Sequence, residues 1–474
     1  MIFFDKVLII LNNLITHFND FLWTYVLIAP LILLGLYFTF KTNFVQFRYI
    51  KEMFRLLGDN GPVSEKKKES VSSFQAFCIS TASRVGTGNL AGIAIAISVG
   101  GPGAVFLMWL IALIGSASSF VESTLAQIYK EKDENNAFRG GPAYYMEKAL
   151  GKKWMGVIFS ILITICFGLV FNSVQSNTIS IALNEAFGVN KTLTGIVLMI
   201  LTISIAFGGV QRIAKVSEII VPIMAVAYIF IALLVVFKNI TAIPSLIKLI
   251  IENAFGLQQA VGGGIGSTIL IGIKRGLFSN EAGMGSAPNA AATADVSHPV
   301  KQGLIQTLGV FTDTIVICSC TAFIILLSDI DLTSGLTGIE LTQNALASQI
   351  GSFGNIFIAI CVLLFAFSSI VGNYYYGESN IEFLSKKKSH LTIYRICVAA
   401  MVFFGSIVNL EIVWNLADVF MGLMAIVNLI AILLLGKFAF KALEDYRSQK
   451  KAGIKDPIFK AASIPELKNV DEWK

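Results

Sequence analysis

Eleven largely apolar stretches, each about twenty residues long or longer, run through this chain, and they restrict its folding more than any other feature. A run of about 20 apolar residues is enough for one helix to cross the hydrocarbon core of a bilayer. Within that core every backbone N–H and C=O must find its partner inside the protein, which leaves helices and closed barrels as the available solutions. The expected fold class is therefore an all-α polytopic membrane protein with 11 transmembrane helices. Their approximate limits are 21–41, 72–99, 102–129, 154–186, 191–208, 216–237, 261–287, 302–327, 352–376, 391–409 and 411–436. Composition agrees: 55% of residues are hydrophobic and 14% charged, with a mean hydropathy of +0.74, where soluble domains carry about 25% charged residues. The first stretch, Phe21 to Phe40, has no basic segment before it and no small-residue cleavage site after it, so it reads as a retained helix rather than a signal peptide.

The net charge of +6 sits in short loops between apolar segments, which argues for the positive-inside rule and against a nucleic-acid partner. Arg48, Lys51, Arg55 and Lys66–Lys68 fall in the loop 42–71; Lys130, Lys132, Arg139, Lys148, Lys152 and Lys153 fall in 130–153. Arg212 and Lys215, His298 and Lys301, Lys386–Lys388 and the lysine-rich tail after Gly436 continue the pattern on one side. The opposite loop 328–351 has no Lys or Arg but holds Asp329, Asp331 and Glu340. This alternation predicts a multi-pass cell (plasma or inner) membrane protein with its N-terminus outside and its C-terminus in the cytoplasm. The region 238–260, with Lys238 and Lys248, fits the outer side least well and is a place for a short amphipathic helix. Cys78, Cys166, Cys318, Cys320, Cys361 and Cys397 all lie in apolar segments without CxxC spacing and read as small buried hydrophobes. His17, His298 and His390 sit near segment ends and suggest no metal site.

Two segments break their helices in the same way. Arg84, Asn89, Ala91 and Gly92 of the second recur at the same spacing as Arg275, Asn280, Ala282 and Gly283 of the seventh. Matching polar, Gly-interrupted helices in corresponding halves point to the binding site of a transporter, and five helices per half make the second half an inverted copy of the first. The predicted organisation is an extra N-terminal helix and cytoplasmic loop (1–71), a first five-helix repeat (72–237), an outer connector (238–260), a second repeat (261–436) and a cytoplasmic tail (437–474).

The chemistry follows from the breaks. Glycines at Gly86 and Gly88 around Thr87 weaken the helix, so that free N–H groups face a carboxylate and free carbonyls face a cation. Close packing of small residues is the plainer alternative, but it leaves Arg84 and Asn89 at that depth unexplained. In the seventh segment Gly262-Gly263-Gly264 leads to Lys274, Arg275, Phe278, Ser279, Asn280 and Glu281, whose charges must pair or face water. Glu281 is either a structural partner or a proton site, and Asp313 is a further deep acid of open role. In the fourth segment Ser173, Ser176, Asn177 and Ser180 share one face and read as lining a pathway, with interhelical hydrogen bonding the alternative; Gln175 suits a zwitterionic ligand. In the ninth, Ser368, Ser369 and Asn373 offer oxygens that suit a hard monovalent cation, although a serine also bonds its own helix. No nucleophile elbow, phosphate-binding loop or zinc-protease motif is present, so an enzyme is not expected.

At these residues the chain resembles the alanine/glycine:cation symporter family, the sodium:alanine symporters. The resemblance rests on Gly86–Gly92, Arg139-Gly140-Gly141-Pro142-Ala143-Tyr144-Tyr145, Lys274–Pro288, His298-Pro299-Val300-x-Gln302-Gly303, Asp313-Thr314 and Ser368–Glu378. It implies a LeuT-like five-plus-five fold, a small neutral amino acid as substrate, Na⁺ as coupling ion and no organic cofactor. The Val85-Gly86-x-Gly88-Asn89 string is also similar to the opened first core helix of the neurotransmitter:sodium symporters. That likeness implies a Na⁺ site from the carbonyls of Ala82, Val85 and Phe365 with the hydroxyls of Ser368 and Ser369, and a second ion position at Asn89. It places the substrate against Gly86, Thr87, Gly88 and Gln175, with Phe278, Ser279, Asn280 and Asn373 around it. Family members commonly carry Trp where Asn373 stands, which implies a larger, polar neutral substrate, glutamine foremost. Proton coupling through Glu281 or Asp313 is the alternative to Na⁺.

Overall fold

The computed structural model describes residues 13–59, 71–133, 136–207, 209–255, 264–408 and 410–473. Lys66–Lys68, Gly262 and Gly263 lie outside the described residues. In chain order the helices are α1 (Asn13–Lys41), α2 (Val45–Arg48), α3 (Ile50–Leu57), α4 (Ser73–Arg84), α5 (Gly88–Gly100), α6 (Gly103–Ile128), α7 (Pro142–Lys148), α8 (Lys153–Phe187) and α9 (Lys191–Ala206). They continue with α10 (Gly209–Lys238), α11 (Ile243–Phe255), α12 (Gly264–Asn280), α13 (Ala287–Ala291), α14 (Pro299–Leu326), α15 (Gly338–Ile350), α16 (Ser352–Leu384), α17 (Lys388–Ile407) and α18 (Leu410–Lys451). Among the described residues, eight helices are long and apolar enough to cross a membrane: α1, α6, α8, α10, α14, α16, α17 and α18. The helices α5 and α9 are apolar but shorter, and α12 carries Lys274 and Arg275.

Local chemistry sets the ends. Ser72 caps α4 through a reciprocal pair with Gln75, Ser72 Oγ accepting from Gln75 N at 3.1 Å and Gln75 Oε1 accepting from Ser72 N at 3.0 Å. Gly188, at φ 67°, closes α8, and Asn190 caps α9 by accepting from Thr192 N. His298 Nδ1 accepts from Val300 N at the start of α14, so this histidine is a cap. Cys320 is half-buried and Cys397 exposed on α17, so not every cysteine is the buried hydrophobe expected.

The burial pattern is that of a protein solvated by lipid. Ile219, Ile223, Val226, Phe230 and Phe237 of α10 are exposed, while Ser217, Met224 and Tyr228 face inward. Polar side chains gather at the centre instead: Asn89, Glu122, Gln175, Asp313 and Asn373 are all buried. Around that centre α6 packs along α12 and α14, α8 along α16 and α17, and the broken helix α4 lies between α10 and α16.

Several elements differ from the expected limits. The loop 328–351 contains α15, whereas α11 is the short helix expected in 238–260, burying Leu246, Ile250 and Ala254 on one face. The helix α18 runs to Lys451, beyond the last apolar residue of its span, because its later turns hold strong helix formers and bury Leu443 and Tyr446. Hydropathy ends where lipid ends, and a helix need not.

Candidate functional site

Between α4 and α5 the chain leaves the helix at Val85 and Gly86. In an unbroken helix the Gly86 N–H would go to Ala82 O. Here it donates instead to Asn89 Oδ1 at 3.1 Å, and Ala82 O is freed to accept from Ser369 Oγ of α16 at 2.7 Å. The same hydroxyl lies 3.5 Å from Val85 O and 3.1 Å from Phe365 O. Three carbonyls and one hydroxyl from two helices thus meet at a point, all buried. Ser368 turns to its own helix, donating to Phe365 O at 2.8 Å.

One residue on, Thr87 N donates to Gln175 Oε1 at 2.9 Å and Thr87 Oγ1 to the same atom at 2.6 Å. The amide oxygen of Gln175 sits where a carboxylate oxygen would be received by the opened main chain. A Cβ on Gly86 would collide with Ser369 Oγ and lie 2.8 Å from Gln175 Oε1, so only glycine fits. A Cβ on Gly88 would come within 2.8 Å of the Phe278 ring.

The second break falls later than the sequence pattern suggests. Phe278, Ser279 and Asn280 belong to the last turn of α12, and the chain opens from Glu281 to Ser286. Glu281, Gly283 and Gly285 have φ of 56°, 84° and 85°. This left-handed backbone turns two N–H groups toward Glu122 of α6, whose carboxylate accepts from Gly283 N at 3.1 Å, Gly285 N at 3.0 Å and Asn428 Nδ2 at 2.7 Å. Asn428 in turn donates to Gly283 O and accepts from the Tyr145 hydroxyl. Asn280 closes the helix end, its Oδ1 accepting from Ala282 N while Nδ2 has no partner.

Two acids lie beside the breaks. Asp313 accepts from Asn89 Nδ2 at 2.5 Å, Ser279 Oγ at 2.6 Å and Thr314 Oγ1 at 2.8 Å, so Ser279 joins Asn89 rather than Phe278. Glu281 accepts from Ser83 Oγ at 2.9 Å and Ser286 Oγ at 2.6 Å. Ser83 Oγ also lies 2.7 Å from Asn373 Oδ1, which leaves Asn373 Nδ2 a buried donor without a partner. Arg84 donates to Gln306 O and Ser119 Oγ, and its Nε has no partner. Arg275 does not pair with Glu281: its guanidinium binds the Asp418 carboxylate of α18, and it stacks over Trp414 at 4.5 Å. Phe278 lies between Trp414, at 4.7 Å, and Phe171, at 4.5 Å.

Sequence reasoning missed Glu122, Asp418, Trp414 and Phe171. For the two acids a signal existed, since a lone carboxylate in an apolar segment is costly and marks a partner. The polar stripe of α8 takes the alternative role. Ser173 bonds Met401 O, Asn177 bonds Gly405 O and Val408 O, and Ser180 bonds Ser406 O, so these residues fasten α8 to α17. Only Gln175, on another face, reaches the break. Three π-helical turns, at Gly88–Gly92, Thr164–Phe171 and Phe311–Cys318, bring Asn89, Phe171 and Asp313 to the site. A cavity of about 600 Å³ lies elsewhere, between α7 and the ends of α16 and α17, lined by charged residues including Arg139, Glu382 and Arg395.

The family model described as the sodium:alanine symporter family matches residues 8–461 of this chain. The chain is 58% identical over 464 residues to the probable sodium/glutamine symporter GlnT of Bacillus subtilis (strain 168), covering 98% of this chain and 96% of that protein. It is 59% identical over 463 residues to the amino-acid carrier protein AlsT of the same organism, covering 98% of each. Among solved structures it is similar to MhsT in complex with L-phenylalanine, with a TM-score of 0.58 at 17% identity, over 79% of this chain and 96% of that one; at such identity the likeness concerns the fold alone.

Proposed function

The chain belongs to the sodium:alanine symporter family, and from that premise we propose that it imports a small neutral amino acid, glutamine foremost, together with Na⁺ by alternating access. The observation that carries the reading is the convergence of Ala82 O, Val85 O, Phe365 O and Ser369 Oγ at a helix break, a buried all-oxygen set without a carboxylate. Such a set suits a monovalent hard cation. Beside it, Thr87 N and Oγ1 form a receptor for a carboxylate, held in the meantime by Gln175. Ion and substrate sites are then neighbours along residues 82–87, on either side of the break at Val85 and Gly86, so ordering that break by one ligand prepares it for the other.

The free amides at Asn280 and Asn373 supply the preference for a polar side chain. Both are buried donors lacking acceptors, which an alanine methyl leaves unpaired and a carboxamide oxygen satisfies. GlnT, the relative named for glutamine, is consistent with this choice. Eleven crossings in two inverted halves of five, with the N-terminus outside and the tail in the cytoplasm, complete the proposal. Within it the 72–237 and 261–436 segments are the repeats, flanked by 1–71, 238–260 and 437–474.

Proton coupling is the second reading. Asp313 and Glu281 favour it, because each is a buried carboxylate held by neutral donors only, with Asn89 and Ser279 making the Asp313 cluster an alternative second Na⁺ position. Uptake into proteoliposomes separates the two. Replacing external Na⁺ with choline at constant pH should abolish concentrative glutamine uptake; uptake that survives the replacement and follows a pH gradient would install the proton reading instead.

A further inference from the structure

The tail is folded back onto the protein. At about 1.5 Å per residue, the 42 residues of α18 reach about twice the roughly 30 Å of a bilayer core, so its last turns stand clear of the lipid. Gly453, at φ 86°, then reverses the chain. Gln449 holds the returning strand from both sides, donating to Ile458 O at 2.8 Å and accepting from Ile458 N at 2.9 Å. Phe459 and Trp473 are buried, at 2% and 6% exposure.

What the tail covers is the segment that ties the two broken helices together. Residues 291–298 follow α13. Ala291 O and Ala294 O accept from Gln127 Nε2 of α6, Ala294 O accepts from Lys130 Nζ, and Asp295 N donates to Val71 O, next to the cap of α4. The tail bonds the same strand and the same end of α6. Ser297 Oγ donates to Pro457 O at 2.8 Å, Phe459 N to Ser297 O at 2.9 Å, and Trp473 Nε1 to Gln127 O at 2.9 Å. The Trp473 ring also lies over Lys130 Nζ at 4.9 Å. Two outer ion pairs hold its end, Lys132 with Glu472 at 2.6 Å and Lys148 with Asp471 at 2.8 Å.

We infer that residues 454–473 are a latch: docked, they hold the tail-side halves of both broken helices against α6, and they release before that side of the transporter opens. The inference rests on the alternating-access reading, since without an opening there is nothing for a latch to restrain. It differs from a merely structural tail in one respect. Loosening the tail changes how often the tail side opens, and the two rim ion pairs make that frequency sensitive to ionic strength.

Cys78 of α4 reports the opening. It is fully buried toward α10, where Gln75 Nε2 also bonds Glu218 Oε2 at 3.0 Å. In the full-length protein, alkylation of Cys78 by N-ethylmaleimide is followed by peptide mass mapping. Trp473→Ala should raise its rate roughly tenfold, the factor that a latch worth about 1.4 kcal/mol imposes on opening. Glu472→Lys should raise it as well, and adding Lys132→Glu should restore the slow rate. Lys455, Lys460 and Lys468 are exposed in the docked tail, so release is read as tryptic cleavage there faster than in the native protein; removal of 454–474 replaces Trp473→Ala if that variant stays docked. A released tail with Cys78 labelling unchanged overturns the latch. Loss of Na⁺-dependent uptake with labelling still governed by the tail would instead count against the transport reading, so the two failures are distinct.

Discussion

One hydroxyl, Ser369 Oγ, touches three main-chain carbonyls from two helices, and Gly86 leaves it the room to do so. Ser369→Ala removes a donor and a ligand without adding bulk. It should raise the half-saturating Na⁺ concentration by about tenfold or more, about 1.4 kcal/mol, in Na⁺ titrations of uptake, with protein levels held. An unchanged Na⁺ curve would remove the hydroxyl from the ion site. In the proposed reading Asn373 acts through its free amide. In Asn373→Trp the amide donor is lost and a bulkier ring takes its place, so the preference of glutamine over alanine should fall by about tenfold in competition uptake. No shift would mean that the size and polarity of this position do not choose the substrate.

Each broken helix needs something to replace its missing bonds. For the second break that is Glu122, which accepts two main-chain N–H groups and the Asn428 amide. Glu122→Gln keeps the shape but presents an NH₂ to one of these donors, leaving a buried N–H unpaired at about 1–3 kcal/mol. Thermal unfolding in detergent should show the loss as a lower Tm; an unchanged Tm would deny Glu122 this role. The surface helix α3 is held differently. Burial works against ionising Glu52, but hydrogen bonds from Arg55, Tyr446 and Lys450 outweigh it and hold the carboxyl down to about 2. A folded value below the ordinary 4.5 means that the released form binds the proton more readily. The stabilisation is therefore present above pH about 4.5 and is lost as pH falls toward 2. The Tm difference between the native protein and Glu52→Gln should be widest above pH 5 and shrink on acidification; a constant difference would show that the charge is not what anchors α3.

At the scale of the whole molecule, the proposed ion and solute sites both fall within residues 82–89, so on that reading binding is reciprocal: glutamine should raise Na⁺ affinity by the same factor by which Na⁺ raises glutamine affinity. Equilibrium titrations of each ligand with the other held at two concentrations check this, and unequal factors would exclude a single linked equilibrium. Residue patterns showed that the chain lives in lipid and that two helices are interrupted, near Gly86 and near Asn280, while the oxygens around the first interruption came only from the family resemblance. These are readable because hydropathy and glycine placement act locally, within a few residues of where they are written. The tertiary structure alone decided the rest. It moved the second opening to Glu281–Ser286, because the acceptor for the freed N–H groups, Glu122, comes from a helix about 160 residues earlier in the chain. It gave Arg275 to Asp418 rather than to Glu281, turned the serine stripe of α8 into a seam with α17, and folded the tail beneath the breaks. A buried charge or amide must be satisfied by whatever packing brings nearest, and that neighbour is fixed by the fold as a whole rather than by sequence spacing.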